Sequence, residues 1–446
     1  MSAVMEKVNK ILPHVMKFVN SKPISAIKDG FIMTMPLTII GSIFLLLAFI
    51  PVPGYNDFMA GIFGNDWMSP LFQVVGATFD LLALVGTFGI AYSYVNKEGI
   101  NGVNAGILGI VSLIILMNAF VTGADGAVIG GVIPKEFLGG KGMIAAIIVG
   151  LYVGYIYSFV VKRNWTIKLP DSVPSGVSNA FTSLVPGILI VTFTFLLYVI
   201  FKSAFDKTLI EVIYTLIQEP LQGMTDSFAG ALLIPIIISL LWWCGIHGSA
   251  IVMGIMGPIL QSNALYNQDI VNSGAALVVG ENAKLVTNQF VDQFITVGGS
   301  GLTLGLVVSM LIFAKSTQYK QLGRLSIVPG LFNINEPVIF ATPIVFNPFM
   351  FVPFLLAPLC SAILLYTCLK FGIVDPFRAV TVPWTTPIIL SGFLVGGVKA
   401  ALLQAVMFLM TVGIYFPFFK YQDNLAYLEE KGCSEEAEKK EELRRA

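Results

Sequence analysis

The segment Ser326 to Pro348, SIVPGLFNINEPVIFATPIVFNP, constrains the fold of this chain more than any other stretch. It is mostly apolar, yet it holds Glu336, two asparagines (Asn333 and Asn335) and prolines at 329, 337 and 343. A straight membrane helix does not accept that many prolines, because each removes a backbone donor and clashes with the preceding turn. The segment therefore reads as a broken or re-entrant element. Such backbone is tolerated at membrane depth only where protein or a water-filled cavity satisfies its polar groups. A carboxylate there costs several kcal/mol, roughly 2.5–3.5 for Asp at a helix centre, unless it has a partner or a task. The expectation is a polar ligand site near the midplane of a transporter.

Composition supports a membrane setting. Of 446 residues, 56% are hydrophobic and only 12% are charged, whereas soluble domains run near a quarter charged. A formal net charge of zero argues against a nucleic-acid partner. A span needs ~20 apolar residues, and runs of that kind occur at 30–50, 71–95, 102–122, 143–161 and 183–201. A second group lies at 228–245, 248–261, 299–314, 349–371 and 394–416, with two Pro/Gly-broken pieces at 326–346 and 376–393. The expected fold is an all-α polytopic membrane protein with about ten transmembrane helices and two re-entrant hairpins.

Basic residues set the orientation. Lys7, Lys10, Lys17, Lys22 and Lys28 precede the first span, Lys162, Arg163 and Lys168 follow the fourth, and Lys315, Lys320 and Arg324 follow the eighth. With both termini cytosolic these all fall inside, as the positive-inside rule requires. Lys135, Lys141, Lys202 and Lys207 fall outside, against that trend. The organisation expected is a charged amphipathic lead-in (1–28) that is not a signal peptide, a first membrane group (29–161), an amphipathic connector (162–182) and a fifth span (183–201). A second membrane half (202–417) and a charged cytosolic tail (418–446) follow. The polar, asparagine-rich stretch 262–297 is too short and too apolar for a soluble domain and is expected to fold against the membrane part.

Several small motifs are candidates for ligand contact. His247 lies in LLWWCGIHGSA between Gly245 and Gly248, which let a backbone approach closely. Trp242 and Trp243 beside it offer aromatic faces, and an interfacial tryptophan pair with a hydrogen-bonded histidine is the alternative reading. In Asn333-Ile334-Asn335-Glu336-Pro337 a carboxylate is flanked by two amides, a set suited to a polyhydroxylated ligand since carboxylates accept and amides both donate and accept; a buried Glu paired with Lys or His inside the bundle is the alternative reading. Gly298-Gly299-Ser300-Gly301 either brings backbone amides to a ligand or packs helices. Trp384, in VPWTTP, either stacks on a sugar ring or sits in the interfacial belt. Asp80 belongs either to a ligand cavity or to a helix-packing hydrogen bond.

Absences narrow the field. Four cysteines in unrelated positions give neither a metal site nor a disulfide framework. No Walker motif is present, and no HExxH or serine elbow points to an intramembrane hydrolase. No cofactor is expected. Composition and broken helices alone leave a proton-coupled secondary transporter open as the alternative.

The boxes WWCGIHG (242–248), GGSG (298–301), NINEPVIF (333–340) and VPWTTP (382–387), with the LPDSVPSGVSNAF connector, resemble the membrane IIC component of bacterial phosphotransferase-system sugar permeases, in the lactose/cellobiose/diacetylchitobiose branch. The resemblance runs over almost the whole chain and keeps the boxes in order. It implies a glucose-superfamily-like IIC architecture in a bacterial cytoplasmic membrane, a dimerisation half, and a second half that holds a β-linked disaccharide. It makes His247 and Glu336 the key polar residues near the sugar; the reading of the residues themselves adds Asn335, Asn333, Gly299, Trp243, Trp384 and Asp80 as further candidates. It also implies an elevator-like motion, a homodimer in lipid, and phosphorylation of a sugar 6-hydroxyl by a IIB protein carrying a phosphocysteine supplied through IIA. Cys433 lacks the phosphate loop of a IIB cysteine, so IIB and IIA are expected as separate polypeptides and this chain as a transport subunit with no catalysis of its own.

Overall fold

The computed structural model describes residues 13–445 apart from 15, 19, 51–53, 124, 125, 171 and 343, and for 175 and 433–445 it describes the backbone alone. The first twelve residues of the expected lead-in, and Pro343, lie outside the described residues. Helices dominate, and six of them among the described residues are long and apolar enough to cross a bilayer: Lys22–Ala48, Ser69–Asn96, Gly140–Lys162, Leu184–Phe205, Pro348–Lys370 and Leu390–Gly432. Two of the runs expected as spans form shorter apolar helices, Val103–Ile115 and Leu304–Phe313. Ten helical residues rise only ~15 Å. The 299–314 run falls short of a full span because Gly298, Gly299, Gly301 and Leu302 all take positive φ, so the helix starts only at Leu304. Against the all-α expectation, the described residues include a small antiparallel hairpin pairing Phe120–Thr122 with Val128–Gly130. Its β-branched and aromatic residues favour strand, and both strands are exposed.

The chain divides into two compact units. The first comprises the residues up to Ser227, Ala250–Leu277 and Arg378–Thr381, and the second comprises Phe228–Ser249, Val278–Phe377 and Val382 onward. The stretches 202–227 and 250–277 thus pack with the earlier part of the chain.

In the first unit the helix Leu82–Asn96 is central, packed against Lys22–Ile32, Val103–Ile115 and Met143–Lys162. Its core is built from Ala91, Val95, Ala105, Leu113, Leu116, Val149, Val153 and Ile190. Without lipid-excluding hydrophobic force between membrane helices, close backbone approach has to supply the packing. Gly30 and Gly89 provide it, since a Cβ on Gly89 would lie 2.5 Å from the Gly30 carbonyl oxygen. Lys22 and Lys162 both pair with Glu98, and Lys97 pairs with Asp29 at 2.5 Å. Buried amides tie the helix Gly248–Asn272 into this unit. Gln218 and Gln222 donate to the Ser262 hydroxyl at 2.9 and 2.7 Å, and that hydroxyl donates to the Gly140 carbonyl at 2.7 Å.

In the second unit Leu304–Phe313, Thr317–Leu331, Pro348–Lys370 and Leu390–Arg445 pack around buried Phe290, Phe294, Phe354, Phe377, Tyr415 and Phe419. The polar stretch after 277 ends here in a helical turn, Phe290–Ile295, that is buried except at the half-buried Asp292. The Leu390–Arg445 helix is broken at Gly396 and Gly397, the latter at φ 70. The segment Ser326–Pro348 is interrupted, as its prolines require. The helix carrying Pro329 ends at Leu331, Asn333 turns at φ 65, and a six-residue helix runs from Glu336 to Ala341.

Candidate functional site

The second unit brings His247 and Glu336 together although 88 residues of chain separate them. His247 Nε2 lies 3.9 Å from Glu336 Oε1, with 53% and 45% of the two side chains exposed. Each sits where the chain changes direction. His247 follows Gly245, at φ 77, in the short break between Phe228–Trp243 and Gly248–Asn272. Glu336 opens the helix that follows the Asn333 turn, with Pro337 next to it to fix φ. A gap of 3.9 Å is beyond direct hydrogen bonding, but a single hydroxyl oxygen can stand within ~2.8 Å of both atoms. The arrangement is thus suited to grip an alcohol between an acceptor and an imidazole.

The other sequence-derived candidates fall into distinct places. The Trp242 ring lies 4.4 Å from the His247 ring, so it is Trp242 that backs the imidazole. Trp243 is buried and packs on Phe346 and Phe351. Trp384 keeps half of its surface exposed, while its backbone carbonyl accepts a hydrogen bond from the Asn333 amide at 2.5 Å. Asn333 and Asn335 are buried, and both direct their side chains into the protein. Gly298 and Gly299 spend their backbone N–H groups internally, on Asn333 Oδ1 and on the Thr296 carbonyl. Gly299, at φ 90, is there because of close approach: a Cβ would meet Asn335 Cγ at 2.3 Å. Asp80 belongs to the first unit, where its carboxylate lies 3.5 Å from Lys135 Nζ.

Sequence reasoning missed three supports of this region. Gln404, fully buried, accepts from the backbone of Ile389 and Gly392 and donates to the Gln293 carbonyl and to Ser391. Tyr415 donates to the Gly301 carbonyl at 2.6 Å. Ser249 and Ser300 share a hydrogen bond of 2.7 Å. The available signal was a lone amide and a lone tyrosine within an apolar span, each of which needs a partner once buried.

Comparison with known proteins identifies the family. The family model "Phosphotransferase system, EIIC" matches residues 28–358. A putative permease IIC component of Bacillus subtilis (strain 168), YwbA, is 40% identical over 434 residues, covering 96% of each chain. The cellobiose-specific EIIC component of Geobacillus stearothermophilus is 38% identical, covering 95% of each. Among solved structures, the crystal structure of the transporter ChbC, the IIC component from the N,N'-diacetylchitobiose-specific phosphotransferase system, superposes with a TM-score of 0.90 at 39% identity, over 95% of this chain and 99% of that one. The chain is a multi-pass membrane protein that belongs to the EIIC family of the phosphotransferase system.

Proposed function

We propose that this chain is the permease subunit that binds a β-linked disaccharide, with cellobiose or diacetylchitobiose favoured and lactose a further candidate, and delivers it to the cytosolic side for phosphorylation on a 6-hydroxyl by a separate phosphorylated IIB protein, itself recharged by IIA. The observation that carries the reading is the His247–Glu336 pair, half exposed and spaced to hold one hydroxyl between them. The relatives' specificities supply the sugar class: cellobiose for one and N,N'-diacetylchitobiose for another. A lactose-specific relative from Staphylococcus aureus is an EIICB chain of which this chain covers 75%.

In this reading Glu336 accepts a hydrogen bond from a sugar hydroxyl and orients it for attack, or takes its proton, while IIB supplies the phosphoryl group. His247, backed by Trp242, holds the same hydroxyl from the other side. Trp384 offers its exposed ring face to the sugar. Trp243 and Gly299 shape the walls from within, and Asp80 serves the first unit through Lys135. An elevator-like motion needs two separately packed bodies, and the division of the chain into two units supports it. The same reading gives ten spans with two re-entrant hairpins in a glucose-superfamily-like arrangement, both termini in the cytosol, and a homodimer in the bacterial cytoplasmic membrane.

Uptake of labelled cellobiose and diacetylchitobiose by cells expressing the chain with its IIB and IIA partners tests the mechanism class. Uptake that needs the phosphoenolpyruvate-dependent partners and survives a protonophore is expected. Uptake that collapses with the protonophore and ignores the partners would make the chain a proton-coupled secondary transporter.

A further inference from the structure

Three separate stretches meet at two buried amides in the second unit, and a fourth joins them through Ser300. Asn333 is 7% exposed and sits at φ 65, a conformation asparagine accepts more readily than most residues. Its Oδ1 accepts the Gly298 N–H at 2.5 Å, and its Nδ2 donates to the carbonyls of Trp384 and Thr386 at 2.5 and 3.0 Å. Asn335, 3% exposed, donates both amide hydrogens, to the Ser300 carbonyl at 2.7 Å and to Thr303 Oγ1 at 2.9 Å. Ser300 in turn bonds Ser249, two residues beyond His247. An amide has two N–H hydrogens, so neither asparagine has a donor left for a ligand.

We infer that Asn333 is a positioning residue of the sugar site, acting through Trp384 and Glu336 without touching the sugar; this rests on the sugar-binding reading above. Asn333 fixes the backbone of Trp384, a residue that keeps half of its surface exposed. The same side chain holds the glycine turn at 298 against the turn that launches Glu336 three residues later. Asn335 completes the junction by joining that turn to the serine next to the His247 loop. A binding constellation has to be held within ~0.5 Å to function. Here one side chain supplies three of the bonds that do so, as one acceptor and two donors at once. Aspartate keeps the acceptor for Gly298 but turns oxygen toward two carbonyls. Glycine keeps the backbone conformation and removes all three bonds.

The test uses full-length protein, wild type beside Asn333→Asp and Asn333→Gly, with cellobiose, diacetylchitobiose and singly deoxygenated analogues of whichever binds. Thermal melting of each variant is recorded in parallel. The expected result is folded variants whose affinity falls at least about tenfold, by the same factor for the parent sugar and every deoxy analogue. Wild-type affinity in both variants would overturn the inference. So would a loss that vanishes for one deoxy analogue, because that marks a direct contact. If neither variant folds, Asn333 is a folding residue and the inference is overturned. Failure of the wild type to bind any sugar overturns the disaccharide reading itself, and is told apart because it precedes any substitution.

Discussion

Replacing Gly299 with alanine puts the framework around Glu336 under direct strain. The added methyl would lie 2.3 Å from Asn335 Cγ and 2.4 Å from its Cβ, with φ at 90. Holding a non-glycine residue in such a conformation costs ~1–3 kcal/mol. Asn335 cannot stay in place, and the loss of its two hydrogen bonds, at 2.7 and 2.9 Å, removes another ~1–3 kcal/mol. The combined cost is therefore ~2–6 kcal/mol, and a unit of this size melts ~2–4 °C lower per kcal/mol. The control is Gly413→Ala, on an exposed helical position with open space around it, where alanine is a better helix former by ~1 kcal/mol. Melting of detergent-solubilised protein should show Gly299→Ala at least about 4 °C below wild type and Gly413→Ala at or above it. Disaccharide affinity should fall with the first substitution only. Melting and affinity of Gly299→Ala equal to wild type would refute the argument that this glycine exists to let Asn335 approach.

Three further outcomes follow from other contacts. Asp423 is fully buried and accepts from the backbone N–H groups of Lys315 and Ser316 and from the Ser316 hydroxyl at 2.8–3.0 Å; Asp423→Ala leaves those donors unpaired and should cost about 3–5 kcal/mol, with Asp423→Asn in between, read by thermal melting. Asp269 has its pKa raised to about 6 by burial and the nearby Asp80, with Lys141 opposing. A carboxyl whose folded pKa lies above its unfolded one contributes most below about pH 4 and loses that contribution up to about pH 6. The difference in stability between wild type and Asp269→Asn should therefore change across pH 4–6, to the disadvantage of wild type, and stay level above it; a flat difference would refute the shift. His247→Ala, which removes one side of the grip on the bridging hydroxyl, should weaken binding or slow sugar phosphorylation, and normal turnover would return His247 to a structural role.

Much of the architecture was legible in the sequence for simple reasons. Three prolines and a carboxylate in an apolar run require a break, and the chain breaks there, at Asn333. Long apolar runs such as 143–161 and 183–201 became full helices. What failed to show was helix length where glycines intervene. The run 299–314 is mostly apolar, but positive φ at Gly298, Gly299, Gly301 and Leu302 turns its first third into a loop. The chemical character of the NINEP box was visible, while the division of labour inside it was not. Both asparagines are polar and near Glu336, but only the structure reveals that their donors face three carbonyls and the Thr303 hydroxyl inside the protein. Gln404 and Tyr415 were invisible for a related reason: a single polar residue in a span declares its need for a partner without naming it. Likewise, two adjacent tryptophans look equivalent in sequence, and the structure puts Trp242 beside His247 and Trp243 among phenylalanines.

The central claim is that Glu336 and His247 together hold a hydroxyl of a β-linked disaccharide. Its most direct test is equilibrium binding of labelled cellobiose, diacetylchitobiose and lactose to purified protein, wild type beside Glu336→Gln, which keeps the shape of the side chain and removes its charge. The account predicts saturable binding of at least one of the three sugars and a loss of tenfold or more in the variant, with melting unchanged. Equal affinity in wild type and variant would contradict it.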